Sequence, residues 1–517
     1  MSRDKWKEIG SIEDFSKDTP VKITEGGDEI MIIRRDSDIC ACGGTCTHYG
    51  GPLDEGVYKD GNIVCPWHNA RFDVKSGELR GAPALDDIPV YEIKTENGKV
   101  FLGSKNAPEI VMPGGTDSRR FVIIGAGAAA EGAAEELRRS GFAGKITVIT
   151  PEEDTPYDRT ILSKGFVSGE MKESYLPLRK KDFYEKLNID FQTGKRAKKL
   201  ETGSKEITLD DGEKITGDQI LIATGSIPND LEIPGKAGAN YHLLRSADSG
   251  RKLKQAAADA KKILLIGASF IAMELAADLV SHGKEVHIAA PEQIPMVQVF
   301  GERIGNRILR MHTAEGVNFH LGQTVKEFLN EKGRITGAVL SDGETVQTDL
   351  VITAAGVRPA VNFLESSGLV KNGAVPVNEY LETSQSGIFA AGDITVVPFQ
   401  GAPKPVRVEH WSNALNQGRH AAKSMLGEKE PYGKIPFFWT RQYGKSIKFS
   451  GFPLPWDQIA YRGKPDDGNF VAGFYSRNKL QGAASSGMME EMITMEKIIH
   501  EGQDLSYGDF GNKELPI

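Results

Sequence analysis

The stretch "FVIIGAGAAAEGAAEELRRSG", residues 121–141, decides the fold. Four apolar residues read as a buried strand, the glycines as a tight turn, and the remainder as an amphipathic helix. Gly125-x-Gly127-x-x-Ala130 has the spacing that lets backbone approach a pyrophosphate at a helix N-terminus. Gly125 makes the turn, Gly127 admits the phosphate, and the small Ala130 lets helix and strand pack closely. "KITVIT" follows as a second strand, and Glu152 just beyond it is placed to accept hydrogen bonds from a ribose. The same grammar returns in "KKILLIGASFIAMELAADLVSHGKEVHIAA", residues 261–290. The chain therefore carries two βαβ dinucleotide-binding units.

Working outward, the chain of 517 residues is long enough for several domains. A net charge of -8 argues against a nucleic-acid partner. The charged start "MSRDKWKEIGSIEDF" shows no secretory signal, and the longest apolar run contains Glu274 and Asp278, too polar for a membrane span. The expectation is a cytoplasmic protein. Residues 1–103 read as short strands separated by turn pairs, a small antiparallel domain. Residues 104–118 read as a linker, 119–238 with 356–430 as the first dinucleotide-binding domain, and 239–355 as the second. Residues 431–517 read as an α+β domain. The sequence does not fix an oligomeric state, and a dimer is compatible with it.

All four cysteines lie at or before position 65. Cys46-x-His48 and Cys65-x-x-His68 form two pairs with sixteen residues between them. Two thiolates and two imidazoles suit the two irons of a [2Fe–2S] cluster. They also suit one tetrahedral zinc, in a module that would dock on a partner. Cys40 and Cys42 fit neither pair and read as small apolar residues on the strand entering the loop.

"CTHYGGPL…CPWHNARFDVKSGEL" closely resembles the two cluster-binding loops of Rieske iron–sulfur proteins. The resemblance implies that Cys46, His48, Cys65 and His68 are the ligands, with the histidines exposed for onward electron transfer. High-potential Rieske proteins add a cysteine beside each histidine and a serine that donates to a cluster sulfur, and this sequence lacks both. The expectation is a potential at the low end of the Rieske range, near roughly -150 mV.

"PYDRTILSKGF", "LIATGSIP" and "IFAAGDI" resemble FAD-dependent ferredoxin reductases of oxygenase systems and apoptosis-inducing-factor-like flavoproteins. With the Rieske motifs, the chain resembles an apoptosis-inducing-factor-like oxidoreductase in which a Rieske ferredoxin is fused to such a reductase. The implied fold is multidomain: an antiparallel β Rieske domain, two Rossmann-like α/β domains for FAD and NAD, and a C-terminal α+β interface domain. The resemblance places Arg159 and Lys164 along the flavin. Ala223, Thr224 and Gly225 mark one crossover between domains, and Gly356 lies in the returning one. Gly392 and Asp393 belong to the motif that meets the ribityl chain or pyrophosphate. Glu409, His410 and Trp411 would lie by the isoalloxazine, and Trp439 near its face, although an aromatic on a strand is also a common core residue.

In the second unit Gly267 keeps the first glycine position, while Ser269 and Ala272 replace the other two. The resemblance pairs Glu274 with Lys164 beside flavin N5. Otherwise Glu274 would be a helix residue in a structural ion pair. Ala290 stands where a ribose-reading acid is usual, and Glu292 is the substitute. No Lys or Arg occurs between Ile288 and Gly301 to hold a 2′-phosphate, so NADH is favoured over NADPH. With no cysteine after residue 65, the flavin module lacks a redox thiol of its own. The implied activity is an FAD-dependent NAD(P)H oxidoreductase. Electrons would pass from NAD(P)H through FAD to the cluster of the same chain, and on to an unknown acceptor such as an oxygenase, a cytochrome or a small molecule. An NADH oxidase or redox-sensing flavoprotein is the other reading.

Overall fold

The computed structural model describes residues 6–35 and 38–511. Each glycine-turn segment becomes the central strand of a five-stranded, wholly parallel sheet. In the first sheet Arg120–Ile124 lies between Lys145–Ile149 and Gln219–Ile222, with Ile189–Gln192 and Ile388–Ala390 outside. In the second, Lys262–Ile266 lies between Glu285–Ala290 and Leu350–Thr353, flanked by Asn318–Leu321 and Tyr241–Leu243. Near-continuous apolar strands are what parallel sheets covered on both faces require. The two units are joined by an antiparallel pair, Ser226–Pro228 with Val357–Pro359. Each also carries a three-stranded antiparallel sheet, starting at Ala197 and Val325, that the sequence reading did not pick out.

The N-terminal strands form a six-stranded sheet and a four-stranded sheet. The strand Asp38–Gly43 carries Cys40 and Cys42 buried among Met31, Ile33 and Phe72. The strand Lys99–Asn106 runs past residue 104 into the stretch read as linker. After a bulge it still pairs Lys105 with Tyr91 and Asn106 with Val90, which holds those residues in the sheet. The last part of the chain is a five-stranded antiparallel sheet backed by the helix Met489–Glu501.

The helix Ala128–Arg139 that follows the first glycine turn packs on the helix Trp411–Met425. Small residues make the close approach. A Cβ on Gly418 would stand 1.9 Å from the Ala129 carbonyl oxygen, and one on Gly132 would stand 2.4 Å from that of Leu415. Gly418→Ala is therefore expected to cost about 1–3 kcal/mol by overpacking. Denaturant unfolding would check this, and an unchanged midpoint would contradict it.

Candidate redox site

The C-terminal ends of both parallel sheets and the strand Phe437–Gln442 enclose a cavity of about 1550 Å³. That exceeds the few hundred to ~1,000 Å³ usual for one small ligand. Its wall includes Gly125, Gly127, Glu152, Arg159, Lys164, Ala223, Thr224 and Gly225 from the first unit. It also includes Ser269, Glu274, Gly356, Gly392, Asp393, Glu409, His410, Trp411 and Trp439. Ala130, Gly267, Ala272 and Glu292 do not line it. Ala130 and Ala272 are packed inside their helices. Gly267 is held by the close approach of Ala354, whose carbonyl oxygen would lie 2.5 Å from a Cβ. The Glu292 side chain is half-buried outside the cavity wall.

The first turn fits a dinucleotide. Gly125 has φ +111°, and a Cβ there would strike the Ala223 carbonyl oxygen at 2.2 Å. A Cβ on Gly127 would meet no atom within 4 Å, so bare backbone faces open space at the N-cap of a twelve-residue helix. Glu152 accepts from the Tyr157 hydroxyl at 2.6 Å and pairs with Arg159. Arg159 also donates to the Arg245 carbonyl at 2.8 Å. Asp393 accepts from Ser226 at 2.7 Å and from Arg245 at 3.1 Å. Glu409 pairs with Arg407, and its burial pushes its pKa up against that pairing. His410 stacks on Phe438 with ring centroids 4.1 Å apart, and burial lowers its pKa to about 4.

Lys164 and Glu274 are brought together, Nζ to Oε2 at 2.8 Å. Glu274 is 5% exposed, and a buried carboxylate must be well supplied with donors. The Ser163 hydroxyl donates to Oε2 at 2.6 Å, and the Thr440 hydroxyl to Oε1 at 2.8 Å. Behind Thr440 the chain continues through the Gln442 amide (3.2 Å) to His312 (3.0 Å) and Tyr443 (3.1 Å). With Thr440 donating to the carboxylate, every donor in this chain points toward Glu274. The two-residue period of the strand explains the placement. Phe438, Thr440 and Gln442 face His410, Glu274 and His312, while Trp439 faces the other way.

On that other side stand the two Cys–His loops. The Trp439 ring lies 4.6 Å from the His68 ring and 6.3 Å from the His48 ring, centroid to centroid. The histidines expected to be exposed are instead half-buried against the C-terminal sheet. Ion pairs and hydrogen bonds fix the N-terminal domain in this position: Arg71 with Glu496 and Lys497 with Asp60 at the C-terminal helix, and Arg179 with Asp86, Arg139 with Asp87 and the Tyr49 hydroxyl to Asp158 at 2.7 Å on the first dinucleotide unit. Sequence reasoning missed Thr440, Gln442, His312, Arg245 and the docking cations because each acts across distant segments, and it gave no role to Tyr157 or Tyr49 although both lie inside motifs quoted above.

The donor set fits a two-metal group. Cys46 and Cys65 are buried and hydrogen-bonded to each other, a contact that raises Cys46 and lowers Cys65 to about 7, so the pair shares a proton. The Nδ1 atoms of His48 and His68 face each other at 3.1 Å. Burial lowers His48 to about 4 and His68 to about 2, leaving neutral rings, the form in which imidazole ligates a metal. Gly51 makes room, since a Cβ there would stand 2.9 Å from the Cys65 sulfur. One tetrahedral zinc would hold all donors within about 4 Å of one another. Among the described residues, only Glu170, Asp278 and His282 place three ligand atoms within 4.8 Å, and the Cys–His set does not. Thiols and imidazoles thus form two separate pairs, which disfavours the zinc alternative.

Comparison with known proteins gives three family matches. Residues 119–418 match the pyridine nucleotide-disulphide oxidoreductase profile, residues 5–92 the Rieske [2Fe-2S] domain, and residues 437–517 the reductase C-terminal profile. Apoptosis-inducing factor 3 of Homo sapiens is 30% identical over 508 residues, 95% of this chain and 83% of the relative. Rhodocoxin reductase of Rhodococcus erythropolis is 30% identical over 379 residues, 73% of this chain and 89% of the relative. A ferredoxin reductase for the CYP199A2 system from Rhodopseudomonas palustris superposes with a TM-score of 0.72 at 29% identity, covering 76% of this chain and 96% of that one. These matches bear out the expected domain classes and the FAD, NAD and [2Fe-2S] cofactors. No helix among the described residues is long and apolar enough to cross a membrane.

Two outcomes follow from the buried chain behind Glu274. Thr440→Val removes a donor to a charged acceptor and should cost about 1.5–3 kcal/mol in denaturant unfolding; Thr440→Ser should restore most of it. Burial lowers His312 to about 4. The unfolded chain takes that proton once pH falls below about 6.5, so His312 stability is present above that pH and lost toward 4. Between pH 7 and 5 a His312→Gln variant should lose about 1–2 kcal/mol less than the wild type. Equal losses would count against the assignment.

Proposed function

We propose that this chain, which belongs to the pyridine nucleotide-disulphide oxidoreductase family, passes electrons from NAD(P)H by way of FAD to a Rieske centre in its own N-terminal domain. It is an FAD-dependent NAD(P)H oxidoreductase of ferredoxin-reductase type. When bound, the flavin supplies hydride acceptance and one-electron release, and the cluster supplies one-electron acceptance.

The observation that carries the reading is the position of Trp439. It lines the dinucleotide cavity and touches His68, so a single side chain separates the two cofactor sites. In this reading Gly125, Gly127, Arg159 and Asp393 hold the FAD, and Cys46, His48, Cys65 and His68 hold the cluster. Lys164, fixed by Glu274, presents a cation where negative charge develops on the reduced flavin. Ser163 and Thr440 donate to Glu274 and hold its carboxylate directed at that lysine. Ser269, at a helix N-cap on the cavity wall, marks the NAD(P)H side. The docking ion pairs hold the Rieske loops against the reductase, so the carrier is presented at an effective concentration that free diffusion does not reach. The onward acceptor would be a separate electron-accepting partner, as rhodocoxin and rubredoxin are in the names of two relatives, rhodocoxin reductase and rubredoxin-NAD(+) reductase.

Anaerobic stopped-flow mixing with NADH tests the route. Flavin absorbance should bleach before the cluster signal changes. Trp439→Ala should leave bleaching intact and slow cluster reduction by about tenfold, near 1.4 kcal/mol of barrier. Cluster reduction that precedes flavin bleaching would overturn the order. Rapid peroxide formation that persists unchanged in Cys46→Ala would favour an oxidase instead.

A further inference from the structure

One half-buried cation at the domain interface has no part in the route above. Lys448 lies on the strand Lys445–Gly451 of the C-terminal sheet. Its ammonium donates to the carbonyl oxygen of Pro66, the residue that follows Cys65. Its other contact is the Met489 sulfur at 3.2 Å. Four other cations where the N-terminal domain meets the rest of the chain are matched by a carboxylate: Arg71 by Glu496, Lys497 by Asp60, Arg139 by Asp87 and Arg179 by Asp86. Lys448 pairs with no carboxylate among the described residues, and its hydrogen bond to Pro66 sets it beside Cys65. Withdrawing a cation from water without an anionic partner is unfavourable. Its retention here implies that the partner is the group Cys65 helps to hold.

We propose that Lys448 raises the reduction potential of the Rieske centre, so that docking on the C-terminal sheet itself makes the centre a better electron acceptor. The inference rests on the reading that Cys46, His48, Cys65 and His68 hold that centre. One-electron reduction adds a unit of negative charge there, and a fixed cation stabilises the reduced state over the oxidised one. The Pro66 carbonyl pins the ammonium in place, and the interface limits screening by water and salt. Lys448 stands opposite Trp439 in the sheet, and the Trp439 ring packs on His68, so the cation lies near the histidine side as well. The second ligand loop has no serine at the position that donates to a cluster sulfur in high-potential relatives. A lysine from another domain provides in trans-domain form the positive potential that this loop lacks.

A redox titration of the iron-loaded full chain, followed by the electron paramagnetic resonance of the reduced centre, tests this. Lys448→Met should lower the midpoint so that the one-electron equilibrium shifts about tenfold, about 59 mV. Lys448→Arg, which keeps the charge, should titrate with the wild type. Lys497→Gln, which removes the ion pair to Asp60 at the same interface, should do likewise. A wild-type midpoint in iron-loaded Lys448→Met overturns the proposal and leaves the electron route standing. An equal fall in Lys448→Arg or Lys497→Gln assigns the effect to disturbed docking and also overturns it. A wild-type chain that binds no iron overturns the ligand reading, and this inference with it.

Discussion

The alternation of the strand Phe437–Gln442 is the constraint on which the site depends. A pleated strand sends successive side chains to opposite faces, so one short segment can serve two sites at once. Phe438, Thr440 and Gln442 brace the flavin-side machinery through His410, Glu274 and His312. Trp439, between them, turns to His68. A one-residue slip in this strand would exchange the faces, moving the aromatic away from the histidines and the hydroxyl away from Glu274. The register against Lys445–Gly451, with Trp439 opposite Lys448, guards against that.

Around this strand the electrostatics divide into two kinds. In the Lys164–Glu274 pair the carboxylate is buried and both its oxygens accept hydrogen bonds, the arrangement in which an internal ion pair is tolerable. The docking pairs, such as Lys497 with Asp60, are more exposed and individually weak. Their value lies in orientation: several spread over one face specify how the Rieske loops sit. The apolar residues Ala82 and Leu85 join the core of the first dinucleotide unit and give that contact a hydrophobic anchor.

The parts of the fold that were legible in the sequence are those encoded locally. Gly125 and Gly267 are required by their own turns, and the apolar runs beside them identify parallel strands. The Cys–His pairs declare their chemistry through spacing within each loop. What was not legible depends on distance between segments far apart in the chain. Spacing could not show that the thiols and imidazoles stand as two separated pairs, which is what disfavours a single zinc. It could not show the histidines turned inward, because the residues that turn them, Arg71, Arg139 and Arg179 among them, look like ordinary surface cations. Thr440 sits next to a residue singled out from the sequence, yet its partner lies 166 positions away.

The inward orientation of His48 and His68 has a consequence for traffic. An edge packed against Trp439 has a single berth, and the reductase already occupies it. On the proposed route, an acceptor drawing from that same edge would have to displace the loops from the C-terminal sheet. In the proposed route, loading and unloading through that edge would be successive events, and ion pairs such as Lys497 with Asp60, exposed enough to be screened by salt, would bear on how readily one gives way to the other.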